Sequence, residues 1–181
     1  MRVITGTARG RKLTAPEGMD VRPTTDMAKE GMFSAIQFEI EGALALDLFA
    51  GSGQLGIEAM SRGARSAVFV DQSRASRQAV EQNLRHTGFW ERARLVAGDA
   101  KGFLLSCREQ FDLAFLDPPY DQGLIPECLP LLVEKMAPGG IILCETSRGE
   151  TLPEQAGRFC RSREYHNGKS KVTIYREKEG R

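Results

Sequence analysis

The stretch Ala43-Leu44-Ala45-Leu46-Asp47-Leu48-Phe49-Ala50-Gly51-Ser52-Gly53-Gln54-Leu55-Gly56 decides the fold. An apolar run of strand length, Ala43 to Phe49, breaks into a Gly-rich loop, and helical spacing takes over from Leu55 to Arg62 before Gly63 stops it. Gly51, Gly53 and Gly56 fit G-x-G-x-x-G in the strand–loop–helix setting that a nucleotide-binding loop requires. The first two glycines let backbone N–H groups approach a ligand, and the third lets the helix pack closely on the strand. Asp71 follows twenty residues after Gly51, at the end of the next apolar run, Ser66 to Val70. There it is placed to accept hydrogen bonds from ribose hydroxyls.

Downstream the chain alternates. Ser73 caps a helix running to about His86 with Gly88 as its stop, and Ala93 to Ala97 is a strand ending in Gly98-Asp99-Ala100. Lys101 to Arg108 is a short helix, Phe111 to Leu116 a strand, and Leu124 to Met136 a helix stopped by Ala137-Pro138-Gly139-Gly140. Ile141 to Glu145 is the next strand. Short strands apolar on both faces, each followed by a helix, predict an α/β fold with a parallel sheet covered on both sides. The ending differs: Arg158 to His166 and Ser170 to Tyr175 are joined only by Asn167-Gly168-Lys169, a hairpin signal. A hairpin closing a parallel sheet is a class I methyltransferase pattern that dinucleotide dehydrogenases usually lack. The expected fold is therefore Rossmann-like: a mostly parallel seven-stranded sheet with a C-terminal antiparallel hairpin and a small N-terminal hairpin-helix extension.

In that extension Arg2 to Thr7 and Arg11 to Ala15 flank Ala8-Arg9-Gly10 as a hairpin displaying Arg9, Arg11 and Lys12. Thr25 or Asp26 caps a helix whose apolar stripe is Met32, Phe33, Ile36 and Ile40. Residues 1–42 form this segment and 43–181 the α/β domain.

The strand ends carry acids: Asp47, Asp71, Asp99 and Asp117. Asp47, ahead of the Gly loop, would repel a pyrophosphate and welcome a cationic ammonium, which favours S-adenosylmethionine over NAD. Asp99 and the Ala100 N–H are placed for an adenine amino group and ring nitrogen. Ala50, Gly51, Ser52, Gly53 and Gly56 complete the expected cofactor set. Asp117-Pro118-Pro119-Tyr120 ends its strand abruptly, because two prolines remove two backbone donors and fix φ. Asp117 and the Pro118 carbonyl can accept the two N–H bonds of an exocyclic amine, with Pro119 stiffening the corner and Tyr120 offering a face for stacking. Such chemistry needs neither a metal nor a covalent nucleophile.

The chain has 181 residues, 41% hydrophobic and 27% charged, with no apolar run long enough to span a bilayer and no apolar leader, which predicts a cytoplasmic protein. Cys107, Cys128, Cys144 and Cys160 lack metal-ligand spacing and read as reduced core thiols; His86 and His166 are isolated. The net charge of +1 hides a division, because residues 1–29 and 158–181 together carry +8 and the middle −7. Basic ends of this kind imply a polyanion partner.

Taken together, these motifs resemble the RsmD-type 16S rRNA guanine-N2 methyltransferases along nearly the whole chain. The matching residues are Arg2-Val3-Ile4-Thr5-Gly6 with Arg9-Gly10-Arg11, Arg22-Pro23-Thr24-Thr25-Asp26 with Lys29-Glu30 and Phe33, Leu46 to Gly53, Leu55-Gly56-Ile57-Glu58-Ala59, Ser61-Arg62-Gly63 and Asp117 to Tyr120. The resemblance implies S-adenosylmethionine as donor and a guanine amino group of small-subunit rRNA, naked or in an assembling subunit, as acceptor. It also implies a catalytic Asp117-Pro118-Pro119-Tyr120 corner and an RNA-contacting N-terminal segment, with Arg22 and Lys29 added to Arg9, Arg11 and Lys12. Met27-Ala28 stands where this family usually has a basic residue and Val. The alternatives are an amino methyltransferase acting on adenine, cytosine or a protein glutamine and, against the complete row of strand-end acids, a non-catalytic RNA-binding protein on the same fold. A monomer is expected.

Overall fold

The computed structural model describes residues 1–19 and 24–179. Its spine is one sheet of eight strands: β1 (Leu44–Asp47), β2 (Ser66–Asp71), β3 (Ala93–Ala97), β4 (Phe111–Leu116), β5 (Met136–Ser147), β6 (Gln155–Ala156), β7 (Phe159–Asn167) and β8 (Ser170–Glu177). In space the order is β3-β2-β1-β4-β5-β8-β7-β6. The first five of these pair in parallel, and β5–β8, β8–β7 and β7–β6 pair antiparallel. The strand order reverses between β1 and β4, which puts a ligand crevice outside their carboxyl ends.

Helices α1 (Asp26–Ala35), α2 (Gln54–Ser61), α3 (Arg74–Thr87), α4 (Ala100–Ser106) and α5 (Leu124–Leu132) cover the sheet. Two apolar clusters result. One gathers Phe33, Ile36, Ile57, Phe69, Phe115 and Leu143, and the other Leu46, Val70, Leu104, Leu116, Leu129 and Ile142. Val3, Ala8, Leu13, Met32 and Ile40 belong to the first, so the N-terminal segment is buried with the sheet. The Phe33 and Phe115 rings lie 5.4 Å apart and seat α1 over β4.

The fold departs from expectation in three places. Among the described residues there are eight strands where seven were expected, because Gln155 and Ala156 pair with β7 as a two-residue edge. The α5 helix ends at Leu132, a single 3-10 turn covers Val133–Lys135, and β5 begins at Met136 rather than Ile141. Pro138-Gly139-Gly140 therefore lies inside a strand. A register shift between Phe111 and Leu113 absorbs it, with Gly139 at φ 76°. Finally, the N-terminal hairpin forms only the isolated bridge Arg2↔Lys12, with Val3 bonded to Arg11 and Gly10 across it, while Ile4 and Ala8 turn to bond α2.

Candidate active site

The Gly loop follows β1. Gly51 (φ 58°) and Gly53 (φ 80°) adopt the left-handed region that glycine favours, and Gly53 is the N-cap of α2. A Cβ on Gly56 would stand 2.4 Å from Phe69 Cε1, so only glycine lets α2 lie this close to β2. Asp47 is 1% exposed, and its Oδ2 accepts from the Gly56 N–H at 3.0 Å. It therefore ties the first turn of α2 to β1 from beneath the loop. Burial pushes its pKa up to about 7, against the lowering effect of the Gly56 N–H.

Asp71 stands at the mouth of the loop. Its Oδ2 accepts from Gly51 N–H (2.9 Å) and its Oδ1 from Ser73 N–H (2.8 Å). A carboxylate has about four acceptor positions, so two remain for a ligand's hydroxyls. Asp99 is the N-cap of α4, with Oδ1 accepting from Gly102 N–H, and its exposed Oδ2 has no hydrogen-bond partner among the described residues. Ala100 opens α4 and is buried.

Asn83 of α3 organises the loop from behind, and sequence reasoning missed it. Its amide donates to Ser52 O (2.8 Å) and Thr14 O (2.9 Å) and accepts from Thr14 N–H (2.8 Å). With Met1 Sδ 3.1 Å from Ser52 Oγ, the N-terminal segment is fastened to the Gly loop. An Asn in the middle of an amphipathic helix carries no sequence signal for that bond.

At the end of β4, Asp117 is half-buried, Pro118 buried, Pro119 exposed and Tyr120 half-buried. The Tyr120 hydroxyl donates to Glu145 Oε1 at 3.0 Å. Thr24 Oγ1 lies 3.0 Å from Glu145 Oε2 and 3.4 Å from Asp117 Oδ2. Burial, then the Glu145 and Asp47 carboxyls, raise the Asp117 pKa well above the usual carboxylate range; burial also raises that of Glu145. Glu145 was not among the expected site residues. Its signal was present, since it follows the apolar run Ile141 to Cys144 much as the named acids follow theirs, although β5 itself continues to Ser147. The strands bring together Asp47, Asp71 and Asp117, while Asp99 sits further out on β3's loop.

The expected RNA-side residues separate. Arg9, Arg11 and Lys12 are exposed. Lys29 is 0% exposed, with its ammonium on the Arg2 carbonyl and 4.0 Å from Glu58. This corrects its expected place on the RNA surface: an amine so enclosed serves packing, and burial lowers its pKa. Arg22 lies outside the described residues.

A family model described as "conserved hypothetical protein 95" matches residues 1–176. The chain belongs to that family. Within the conserved hypothetical protein 95 group it is 38% identical to the putative rRNA methyltransferase YlbH of Bacillus subtilis, over 98% of this chain and 100% of the relative. It is 36% identical to ribosomal RNA small subunit methyltransferase D of Escherichia coli, over 99% and 92%. The solved structure of the putative methyltransferase yhhF from Escherichia coli superposes with a TM-score of 0.87 at 36% identity, covering 98% of this chain and 97% of that one. The RsmD-type resemblance and the class I methyltransferase fold both hold. Among the described residues no helix is long and apolar enough to cross a membrane, and no His/Cys/Asp/Glu group is arranged to hold a metal.

Proposed function

We infer that this chain transfers the methyl group of S-adenosylmethionine to the exocyclic N2 amine of a guanine in small-subunit rRNA. The observation that carries the reading is the Asp117–Tyr120 corner, set at the end of β4 beside the Gly loop of β1, its neighbour in the sheet. Relatives named for rRNA methylation, matched over nearly their whole length, support RNA as the substrate class. The guanine amine is the expectation carried by the motif resemblance.

The residues fit the donor. Open space lies where a Cβ on Gly51 would stand, so that loop can be approached closely. Asp71 keeps acceptor positions for ribose hydroxyls, and exposed Asp99, with Ala100 beside it at the start of α4, is offered to the base. When bound, S-adenosylmethionine supplies an electrophilic methyl on a sulfonium.

The chain's own residues do the rest. The Asp117 carboxylate and Pro118 carbonyl accept the amine's N–H bonds and turn its lone pair out of conjugation. The carboxylate then stabilises positive charge growing on nitrogen in a site shielded from water. Tyr120, its hydroxyl fixed on Glu145, presents a ring face to a base flipped out of its stack. Residues 1–42, with Arg9, Arg11 and Lys12, act as the RNA-contacting extension, and 43–181 as the transferase domain of a cytoplasmic monomer.

The test is labelled-methyl transfer to small subunits from cells lacking this activity, followed by nucleoside analysis. N2-methylguanosine is the expected product. Label in another nucleoside, or none in RNA, would overturn the assignment.

A further inference from the structure

Glu145 closes the apolar run Ile141-Ile142-Leu143-Cys144 and is 6% exposed. Both its oxygens are engaged, Oε1 by Tyr120 and Oε2 by Thr24, and Thr24 also reaches Asp117. A threonine hydroxyl has one hydrogen. When that hydrogen goes to Glu145, the contact with Asp117 is a hydrogen bond only if Asp117 itself carries a proton and donates it. Two carboxyls in adjacent strands thus share protons through one hydroxyl. The groups facing them are Asp47 from β1, Tyr120 from the corner, Thr24 ahead of α1 and Ser170 from β8; none is a cation.

We propose that Glu145 is the positioning residue of the corner: it fixes the Tyr120 ring through its hydroxyl and, through Thr24, sets the charge of Asp117. Asp117 gives its proton to Thr24 Oγ1 as Thr24 passes its own to Glu145 Oε2. One proton moves, Thr24 stays neutral, and Asp117 becomes the carboxylate that receives the amine. The fold makes this exchange local, because Leu116 and Cys144 are register partners and place Asp117 and Glu145 side by side. Thr24, immediately before the Thr25 cap of α1, also brings the N-terminal segment into the circuit.

The inference rests on Asp117 being the amine acceptor, and the two fail differently. If Asp117→Ala retains transfer, the reading of the corner falls. With that variant inactive, the pH dependence of kcat at saturating donor and RNA is measured for wild type, Glu145→Gln and Thr24→Val. The wild-type rate rises as Asp117 ionises. Glu145→Gln removes a neighbouring negative charge and moves that limb to lower pH by about one unit. Thr24→Val removes a donor that steadies the carboxylate and moves the limb to higher pH. Donor binding by calorimetry confirms that each variant is folded, and the nearly isosteric Thr24→Val serves if Glu145→Gln is not. Opposite shifts support the proposal. A limb that stays in place, or moves the other way, in any folded variant overturns it, since a purely structural role lowers the rate without moving the limb.

Discussion

Asp47 carries an electrostatic cost that its single hydrogen bond does not repay. It is fully buried, and its one hydrogen bond, from Gly56, does not offset the lost hydration, so its folded pKa stands at about 7. The unfolded chain keeps the ordinary value of 3.8. Between those values the folded state holds the proton more tightly, so this residue's contribution to stability falls as pH rises from about 4 to 7. Asp47→Asn keeps an oxygen for Gly56 and does not titrate. Its stability relative to wild type should therefore climb across that window by about 1–3 kcal/mol, read from urea melts at pH 4.5 and 8. A constant difference would show that Asp47 ionises normally. Asp117→Ala has a different expected signature: transfer is lost while calorimetry still finds the donor bound, because the Gly loop and Asp71 are untouched. Retained transfer would remove Asp117 from the chemistry. Both aspartates were legible in the sequence because each ends an apolar strand beside a motif. The contact that closes the corner was not, since Thr24 and Glu145 lie 121 residues apart and only the fold brings them together.

At the scale of elements, capping and spacing carried most of the fold. Ser73 and Gly88 bound α3 as read, and β3 and β4 have their expected limits, because each boundary is a local event with its own residue chemistry. The start of β5 escaped that reading: Pro138-Gly139-Gly140 looks like a stop, but a bulge against β4 carries the strand through it. The joints between elements are where the sequence was least explicit and where substitution should cost most. Gly56→Ala drives a methyl to 2.4 Å from the Phe69 ring and should destabilise by about 1–3 kcal/mol as α2 shifts off β2. Adding Phe69→Leu should recover part of that loss; strictly additive costs would place the strain elsewhere. Asn83→Ala strands the Ser52 carbonyl and the Thr14 backbone together. It should cost about 1–3 kcal/mol in thermal melts and weaken donor binding, because α3 then no longer holds the Gly loop. Unchanged donor affinity would show that the loop keeps its shape without α3.

Across the whole molecule, the division between basic ends and an acidic middle asks which cations remain available to a polyanion. Many at the C-terminal end are already paired: Arg158 with Glu177, Arg161 with Glu154, Lys171 with Glu164 and Arg176 with Glu39. At the N-terminal end Lys29 is buried and Arg2 pairs with Asp26. Arg9, Arg11 and Lys12 make no ion pair among the described residues and stand exposed on the segment that α2 holds through Glu58 and Ser61. Ala8 N–H bonds Ser61 at the far end of α2, while Met1 reaches Ser52 at its start, so this segment lies along the helix from the Gly loop outward. On the proposed function, these three cations are the ones that meet RNA phosphates. Every phosphate left without its cation takes roughly 0.7–0.9 from the slope of log affinity against log salt. Replacing Arg9, Arg11 and Lys12 together by alanine should thus flatten the slope by about two to three, while Arg94→Ala, which removes a cation already paired with Glu109, should leave it nearly unchanged. An equal effect from both variants would mean that the N-terminal cations act only through net charge.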